Sequence, residues 1–355
     1  MKEAKDHSEK GGFSPEDAPP SGPSVLLEAL RPYVPLLRAE APLLLGFSGG
    51  PDSLALALAL KAALGEGGAP LLALHVDHGW GPESARMAEK ARRLARSMAV
   101  PFRLRRAGAS RGETGARAAR YRVFAEVARE EGAAALFLAH HRDDDLETLL
   151  HRLIRGTGPL GLACIPRTRE LEGAPGCRVH RPFLKLSKQT LREALLGLDL
   201  EPVQDPSNAS PDLSIRHRIR HTLLPRMIAE GHGPRLAALL DEADLLREAV
   251  EAEVRTALRA LPEGLPLPLP IPLDLLSAMS PWGREELLIR LLPRLVPQHR
   301  RPERKHLRHL QRLLAPGCPS GRRMESLGYW ILERRRDMLV LRPAPGPRSA
   351  KSKGC

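Results

Sequence analysis

The chain has 355 residues, of which 42% are hydrophobic and 3% aromatic, so it is long enough for two domains with cores of Leu, Ala and Val. Lys and Arg total 55 against 42 Asp and Glu, and the net charge of +13 favours a polyanionic partner, most simply nucleic acid. The four cysteines, at 164, 177, 318 and 355, form no Cys-x-x-Cys pair and have no zinc-type spacing. This pattern argues against a disulfide scaffold and indicates a reduced, cytoplasmic compartment.

In chain order, residues 1–24 are polar and lack the apolar core of a signal peptide, so we expect a disordered leader. Apolar runs then alternate with helical patterns as far as about residue 181. Predicted strands cover 43–47, 71–76, 102–105 and 135–139, and predicted helices cover 53–65, 82–99 and 113–131. The alternation predicts an α/β fold with a doubly wound parallel sheet, whose ligands bind beyond the carboxyl ends of the strands.

A heptad-like Leu/Ala pattern predicts a long amphipathic helix over 236–261, and a Pro-rich stretch follows it. The module after that stretch is expected to be small and α+β, with helices over 284–295 and 304–314 and a hairpin around 335–337. The densest basic stretch, 299–309, predicts a surface for nucleic-acid phosphates. The expected domains are 1–24 (disordered leader), 25–231 (α/β domain), 232–269 (helical linker), 270–343 (C-terminal nucleic-acid-binding module) and 344–355 (disordered tail).

The most informative segment is Gly-Phe-Ser-Gly-Gly-Pro-Asp-Ser at 46–53, between a predicted strand and an Ala/Leu-rich helix. Backbone N–H groups at a helix start bind anions, and the paired glycines leave room for a phosphate. A carboxylate at Asp52 fits such a loop if Mg²⁺ lies between it and the phosphate. The segment resembles the PP-loop of ATP pyrophosphatases, which implies ATP and Mg²⁺ as cofactors. By this resemblance, the loop residues that bind ATP are Ser48, Gly49, Gly50, Pro51, Asp52 and Ser53.

Other polar residues follow the predicted strands. His75 and His78 close the second strand and His140 closes the fourth, and we interpret them as a polar rim beside the nucleotide rather than as a metal site. Asp144 and Glu147 are three residues apart and share one helix face. Two carboxylates there can hold Mg²⁺ or a cationic substrate, although acidic residues are also common in the first turn of a helix.

Three arginines complete the set of candidate residues. Arg117 lies in a predicted helix, and Arg218 and Arg220 lie in a dense cationic segment; each alone would be typical of a solvated basic face. Together, the segments over about 42–226 resemble the tRNA(Ile)-lysidine synthetase family. The matching pieces are Ser-Gly-Gly-Pro-Asp-Ser (48–53), His-Val-Asp-His-Gly (75–79), Ala-Arg-Ala-Ala-Arg-Tyr (116–121), His-His-Arg-Asp-Asp-Asp-Leu-Glu-Thr (140–148), Arg-Leu-Ile-Arg-Gly-Thr-Gly (152–158), Arg-Pro-Phe-Leu (181–184), Asp-Pro-Ser-Asn (205–208) and Arg-Ile-Arg-His (218–221).

The resemblance implies a two-step ligation. ATP adenylates carbon 2 of the wobble cytidine in a CAU-anticodon tRNA(Ile), and the ε-amine of free L-lysine then displaces AMP to give lysidine. It also implies roles for individual residues: Asp52 on Mg²⁺, Asp144 and Glu147 near the lysine and the reacting base, and Arg117 with Arg218 or Arg220 near the substrate phosphates. The partners are then tRNA(Ile) and lysine, with no membrane, and the sequence leaves a homodimer open.

Three other functions compete with this one. A PP-loop tRNA thiolase needs catalytic cysteines or an iron–sulfur cluster, and the cysteines here lie away from the ends of the motifs. A non-catalytic tRNA-binding protein would have no need for the carboxylates at Asp52, Asp144 and Glu147. An adenylating amidotransferase subunit would have no use for the Arg-Ile-Arg-His segment.

Overall fold

A computed structural model describes residues 22–79, 81–108, 112–198, 200–203, 215–295, 310–315, 317–326 and 330–344. The chain divides into two compact units. Unit 1 comprises residues 1–156 and 164–237, and unit 2 comprises residues 157–163 and 238–355. Most of the expected leader, the basic stretch 299–309 and the tail from residue 345 lie outside the described residues. Pro23 and Ser24, which the sequence assigned to the leader, begin the first helix.

Unit 1 is built around a six-stranded sheet. Its strands are β1 (Leu43–Gly46), β2 (Leu71–Asp77), β3 (Phe102–Arg106), β4 (Ala135–Phe137), β5 (Thr168–Glu170) and β6 (Arg178–His180). The spatial order is β3-β2-β1-β4-β6-β5, and every neighbouring pair is parallel except β5 with β6. The connections from β1 run to β2 and β3 on one side, whereas β4 lies on the other. The carboxyl ends of β1 and β4 therefore flank a point where the strand order reverses, which is where α/β sheets bind ligands.

Helices cover both faces of this sheet. Leu43 and Leu45 belong to one hydrophobic core with residues of the first, third and fourth helices, while Leu44 belongs to a second core with residues of the fifth. This alternation follows from the period of two in a strand, and it makes the sheet doubly wound. The helices through the end of unit 1 are α1 (Pro23–Leu30), α2 (Val34–Leu37), α3 (Pro51–Leu64), α4 (Pro82–Ser97), α5 (Gly112–Glu131), α6 (Arg142–Arg155), α7 (Pro159–Leu162, in unit 2), α8 (Lys188–Ala194), α9 (Ile215–Arg218) and α10 (Leu224–Ala229), with 3₁₀ turns at Arg31–Tyr33 and Pro182–Lys185 and a π-helical turn at Ile219–Leu223.

Unit 2 packs helices against a four-stranded antiparallel sheet. The long helix α11 (Gly233–Ala260) enters it, followed by α12 (Leu273–Ala278) and α13 (Pro281–Leu295). The strands are β7 (Leu269–Pro272), β8 (Arg323–Ser326), β9 (Trp330–Arg335) and β10 (Met338–Pro343), in the order β7-β10-β9-β8. Trp330, Leu332, Leu339 and Leu341 lie in one apolar core with the buried face of α11.

The fold predicted from the sequence is confirmed: a doubly wound α/β domain, a long helix and a small α+β module. The hairpin around 335–337 is present as β9 and β10, which pair from Met338 with Arg335 onward. The short strands β5 and β6 were missed. The predicted helix over 304–314 falls largely outside the described residues. No helix in the described ranges combines the length and the hydropathy needed to cross a bilayer.

Candidate active site

A cleft of about 590 Å³ opens in unit 1 beyond the carboxyl ends of β1, β2 and β4. Most of the predicted site residues line it. They are Ser48, Asp52, Ser53, His75, His78, Arg117, His140, Asp144 and Arg220. The sequence placed them in separate segments, and the parallel sheet brings them together because these strands end at the same edge.

The loop at the end of β1 is fixed by its own hydrogen bonds. The backbone N–H of Gly50 donates to Ser48 Oγ (3.2 Å), Ser53 Oγ donates to the Gly50 carbonyl (3.0 Å), and the two serine hydroxyls are 3.0 Å apart. Pro51 begins α3, a position where its missing N–H costs nothing. The loop therefore presents an ordered helix start to the cleft.

The two glycines of this loop, Gly49 and Gly50, differ in whether the surrounding protein leaves room for a side chain. Gly49 has φ +80°, and a Cβ there would lie 2.7 Å from Val203 and 3.0 Å from Ala91. Gly50 has an ordinary φ of −67°, and its Cβ would meet nothing closer than Ser48 Oγ at 3.3 Å. Packing inside the protein thus requires glycine at position 49. Room for a phosphate, the reason predicted from the sequence, is not needed to explain this glycine.

His141 joins the loop to the acidic helix. Its Nε2 lies 3.6 Å from Asp52 Oδ2 and 3.5 Å from Asp144 Oδ2, and the imidazole is buried. Burial alone would lower the pKa of His141, but the Asp52 contact and the charges of Asp144 and Asp143 raise it on balance. Burial would likewise raise the pKa of Asp52, yet His141, with Lys188 and Arg192, lowers it. The sequence prediction selected His140 and missed His141, because adjacent histidines give no signal of which one bridges two carboxylates.

Arg220 clamps the predicted acidic pair. Its Nε and Nη2 donate to the two carboxylate oxygens of Glu147 at 2.6 and 2.9 Å, and its Nη2 lies 3.6 Å from Asp144 Oδ1. Glu147 is buried, so this bidentate pair satisfies a carboxylate that would otherwise be costly. Asp144 keeps contact with the cleft. The two carboxylates therefore have different surroundings: Glu147 holds Arg220 in place, while Asp144 is accessible to a ligand in the cleft.

Three other acidic residues near the cleft form hydrogen bonds with neighbouring segments of the protein. Asp145 accepts from the Ile165 N–H at 2.7 Å, and Asp143 accepts from the Lys188 N–H at 3.2 Å. Asp77, at the end of β2, accepts from the Gly79 N–H (2.7 Å) and from the Ser84 hydroxyl. Asp143 and Asp145 therefore bind backbone N–H groups of other segments. Of the three consecutive aspartates, only Asp144 lines the cleft.

The three predicted histidines, His75, His78 and His140, line the cleft. His75 Nδ1 is 2.9 Å from the Phe47 carbonyl, and Arg120 approaches His78 Nε2 at 3.1 Å. The pKa of His140 lies well below its usual value, because its half-buried imidazole is desolvated and because Arg181 and Arg117 add positive charge nearby. The pKa values of His75 and His78 are also lowered, chiefly by desolvation. Arg218, by contrast, is exposed and is not among the residues that line the cleft.

Comparison with known proteins identifies the family. The PP-loop domain model matches residues 25–227. A tRNA(Ile)-lysidine synthase from Methylobacterium sp. strain 4-46 is 34% identical over 350 residues, which cover 95% of this chain and 99% of that protein. The chain belongs to the tRNA(Ile)-lysidine synthase family. It is therefore an ATP-dependent ligase of a tRNA-modifying family with a PP-loop domain.

A second relative and one solved structure are also similar to this chain. A tRNA(Ile)-lysidine synthase from Bradyrhizobium sp. strain BTAi1 is 39% identical over 241 residues, which cover 66% of each chain. A U34-tRNA thiolase from Methanococcus maripaludis, solved with its [4Fe-4S] cluster, is 16% identical with a TM-score of 0.54, covering 63% of this chain and 79% of the thiolase. The thiolase thus shares the fold alone. In this chain Cys164 and Cys177 are buried, and burial raises the pKa of Cys177 to about 11.

Proposed function

We propose that this protein joins free L-lysine to carbon 2 of the wobble cytidine in a CAU-anticodon tRNA(Ile), consuming ATP and releasing AMP and pyrophosphate. The observation that carries the proposal is the meeting of the PP-loop, the Asp144 carboxylate and the Arg220 guanidinium in one cleft. An adenylating ligase for a cationic amine and a polyanion needs an anion loop, a carboxylate and a cation together.

The PP-loop wall would hold ATP. The N-terminal N–H groups of α3 would bind the pyrophosphate part of the nucleotide, and Ser48 and Ser53 line the cleft beside them. The second oxygen of Asp52, Oδ1, is buried and has no hydrogen-bond partner among the described residues. A lone carboxylate oxygen beside an anion loop fits Mg²⁺, which prefers one or two carboxylates together with phosphate oxygens and water. When bound there, Mg²⁺ would neutralise charge on the phosphates.

In the first step, the oxygen on C2 of cytidine attacks the α-phosphorus of ATP, and the bond from that phosphorus to the bridging oxygen breaks to release pyrophosphate. In the second step, the ε-nitrogen of lysine loses a proton and attacks C2, and AMP leaves with the oxygen that C2 carried as the nitrogen gives up a second proton. Asp144 is placed to attract the lysine cation. Arg220, held by Glu147, supplies positive charge where the transferred phosphate develops negative charge.

The remaining predicted partners follow from this reaction. The basic stretch 299–309 would contact phosphates of the tRNA. Because the substrate is a tRNA, the enzyme would act in the cytoplasm.

The decisive experiment is incubation of the protein with labelled lysine, ATP and a CAU-anticodon tRNA(Ile) transcript. Label should enter the tRNA only when all three are present, and an otherwise identical transcript with U at the wobble position should stay unlabelled. Transfer of sulfur to the tRNA in a parallel incubation that supplies a sulfide donor instead of lysine would support the thiolase alternative. Absence of any transfer, with ATP binding intact, would overturn the proposal.

Binding to tRNA can be tested separately through its salt dependence. Replacing Arg300, Arg301, Arg304, Lys305 and Arg308 by Gln should flatten the slope of log affinity against log salt by roughly 0.7–0.9 for each phosphate that the variant no longer neutralises. Affinity for ATP should not change, because the PP-loop lies in unit 1. A wild-type slope in this variant would show that the stretch does not bind tRNA phosphates.

A further inference from the structure

Arg181 is a buried cation to which the reaction above assigns no role. Its side chain is 1% exposed, and no carboxylate among the described residues pairs with it. A buried guanidinium without a carboxylate costs free energy and needs strong hydrogen bonds in compensation. It begins the Arg-Pro-Phe-Leu segment at 181–184, which follows β6.

The hydrogen bonds of Arg181 point toward one residue of the cleft. Its Nη1 donates to the Pro166 carbonyl at 2.6 Å, and its Nη2 donates to the Tyr121 hydroxyl at 3.0 Å. Its Nε has no acceptor among the described residues. Tyr121 is therefore the polar side chain through which Arg181 can act on the cleft, which Tyr121 lines.

Two more cations rest on the ring of Tyr121. The guanidinium carbon of Arg169 is 4.4 Å from the ring centroid and that of Arg117 is 5.2 Å from it. Both distances are typical of cation–π contacts, which fix a guanidinium plane at a modest gain in free energy. None of the three arginines forms an ion pair with a carboxylate of the described residues. We call Arg117, Arg169, Arg181 and Tyr121 the Tyr121 cluster.

The Tyr121 cluster and the PP-loop belong to different sides of the sheet. Helix α3, which follows the loop, packs in one hydrophobic core, while α5, which carries Arg117 and Tyr121, packs in the other. ATP phosphates have the loop as their partner. Of the three cations, Arg117 lines the cleft on this other side and has no carboxylate partner among the described residues. A tRNA phosphodiester would supply the missing negative charge.

We propose that Arg181 is a positioning residue for tRNA: through the Tyr121 hydroxyl it fixes the aromatic ring, and with it the Arg117 guanidinium, in place to bind a phosphodiester beside the wobble cytidine. This inference rests on the function proposed above. Arg181 itself stays buried, and Arg117, which is exposed in the cleft, makes the contact.

The sharpest variant is Tyr121→Phe, which keeps the ring for Arg117 and Arg169 but removes the hydroxyl that accepts from Arg181 and also interacts with Arg169. The affinity for tRNA and the kcat/KM for tRNA should both fall on the order of tenfold, the cost of removing one charge-assisted hydrogen bond. The Kd for ATP should stay within about twofold, because the PP-loop makes no contact with the hydroxyl. Arg181→Lys should retain more tRNA affinity than Arg181→Met, since lysine can still donate to Tyr121.

A double variant separates positioning from general structural damage. If Tyr121 acts through Arg117, then Tyr121→Phe should change tRNA affinity by less than about twofold in an Arg117→Gln background. Arg178→Met replaces an exposed arginine of β6, the strand that leads to Arg181; it serves as the matched control and should bind tRNA normally. Thermal unfolding checks that each variant is folded.

Two results would overturn the inference: wild-type tRNA affinity in Tyr121→Phe, or losses in Tyr121→Phe and Arg117→Gln that multiply in the double variant. Because tRNA affinity is measured without the reaction, these results remain readable even if the wild-type protein transfers no lysine. Failure of lysine transfer would then count against the proposed function, and not against the role of Arg181.

Discussion

The two units bury different kinds of side chain. Among the described residues, every polar or charged side chain that is buried lies in unit 1, whereas the core of unit 2 is apolar from Val250 to Leu341. The buried polar residues are Ser53, His75, Asp77, His141, Asp145, Glu147, His180 and Arg181. Buried polar groups stabilise a fold less than apolar ones of the same size and demand partners. Unit 1 therefore gives up stability to hold a charged site, and unit 2 does not.

The largest effect on the site should come from Asp52→Asn. This change removes the charge of the Asp52 carboxylate, whose buried Oδ1 has no hydrogen-bond partner among the described residues. Lysidine formation should fall on the order of a hundredfold or more, because charge on the phosphates loses its proposed Mg²⁺ ligand. Affinity for tRNA should change little. Single-turnover assays with saturating ATP and Mg²⁺ would measure the loss, and wild-type rates would remove Asp52 from the site.

A direct comparison of the two units uses one arginine from each. Arg220→Met strands the buried Glu147 carboxylate and should lower the free energy of unfolding by about 2 kcal/mol, discounted because Arg220 is partly exposed. Arg290→Met breaks pairs with Glu286 and Glu251 in unit 2, where all three side chains are partly exposed, and should cost less than about 1 kcal/mol. Urea unfolding measures both. Equal losses would show that burial of charge does not separate the units.

The loop glycines offer a subtler test within unit 1. Gly49→Ala should destabilise the protein by about 1–2 kcal/mol, because the new methyl group meets Val203 and Ala91 and φ is +80°. Gly50→Ala should cost less than about 0.5 kcal/mol, since its backbone is ordinary and only Ser48 Oγ lies near. The midpoints of thermal unfolding of the two variants, each compared with the wild type, measure this difference in stability. A milder effect at Gly49 than at Gly50 would contradict the packing account.

The sequence predicted what local pattern controls. The strands at 43–46, 71–77 and 102–106 were found within about two residues, because apolar runs between glycine-rich turns have a clear period. The strands β5 and β6 were missed: each has three residues, and Thr168-Arg169-Glu170 shows no apolar alternation. Their strand state comes from pairing with each other and with β4, which is tertiary.

The same division holds for the site. Strand-end motifs predicted that Asp52, Asp144 and the histidines would meet, because parallel strands end at one edge. No local pattern distinguishes Glu147, which anchors Arg220, from Asp144, which faces the cleft. Nor could the sequence show that Arg181 reaches Tyr121 across 60 residues of chain. Contacts between distant segments decide such roles, and spacing does not.

The smallest predicted difference between the units concerns acid. Burial, with the charges of Arg178 and Arg181, lowers the pKa of His180 to about 4, and the pKa values of His75 and His140 are also lowered. Between about pH 6.5 and 4 the unfolded chain then binds more protons than the folded one, so the stability present above 6.5 is lost as pH falls. His141 acts in the opposite sense, since its pKa is raised: its contribution is present below about 6.5 and lost at higher pH.

Unit 1 should therefore lose stability on mild acidification, by about 1 kcal/mol from His180 after allowance for its solvent access. Unit 2 buries no polar or charged side chain among its described residues and should change less over the same range. Hydrogen exchange of peptides from each unit at pH 7 and pH 5, corrected for intrinsic rates, separates the two. His180→Gln should flatten the acid slope of unit 1, while His232→Gln, whose side chain is 42% exposed, should leave it unchanged. A parallel loss of protection in both units would mean that the buried histidines of unit 1 do not set its acid sensitivity.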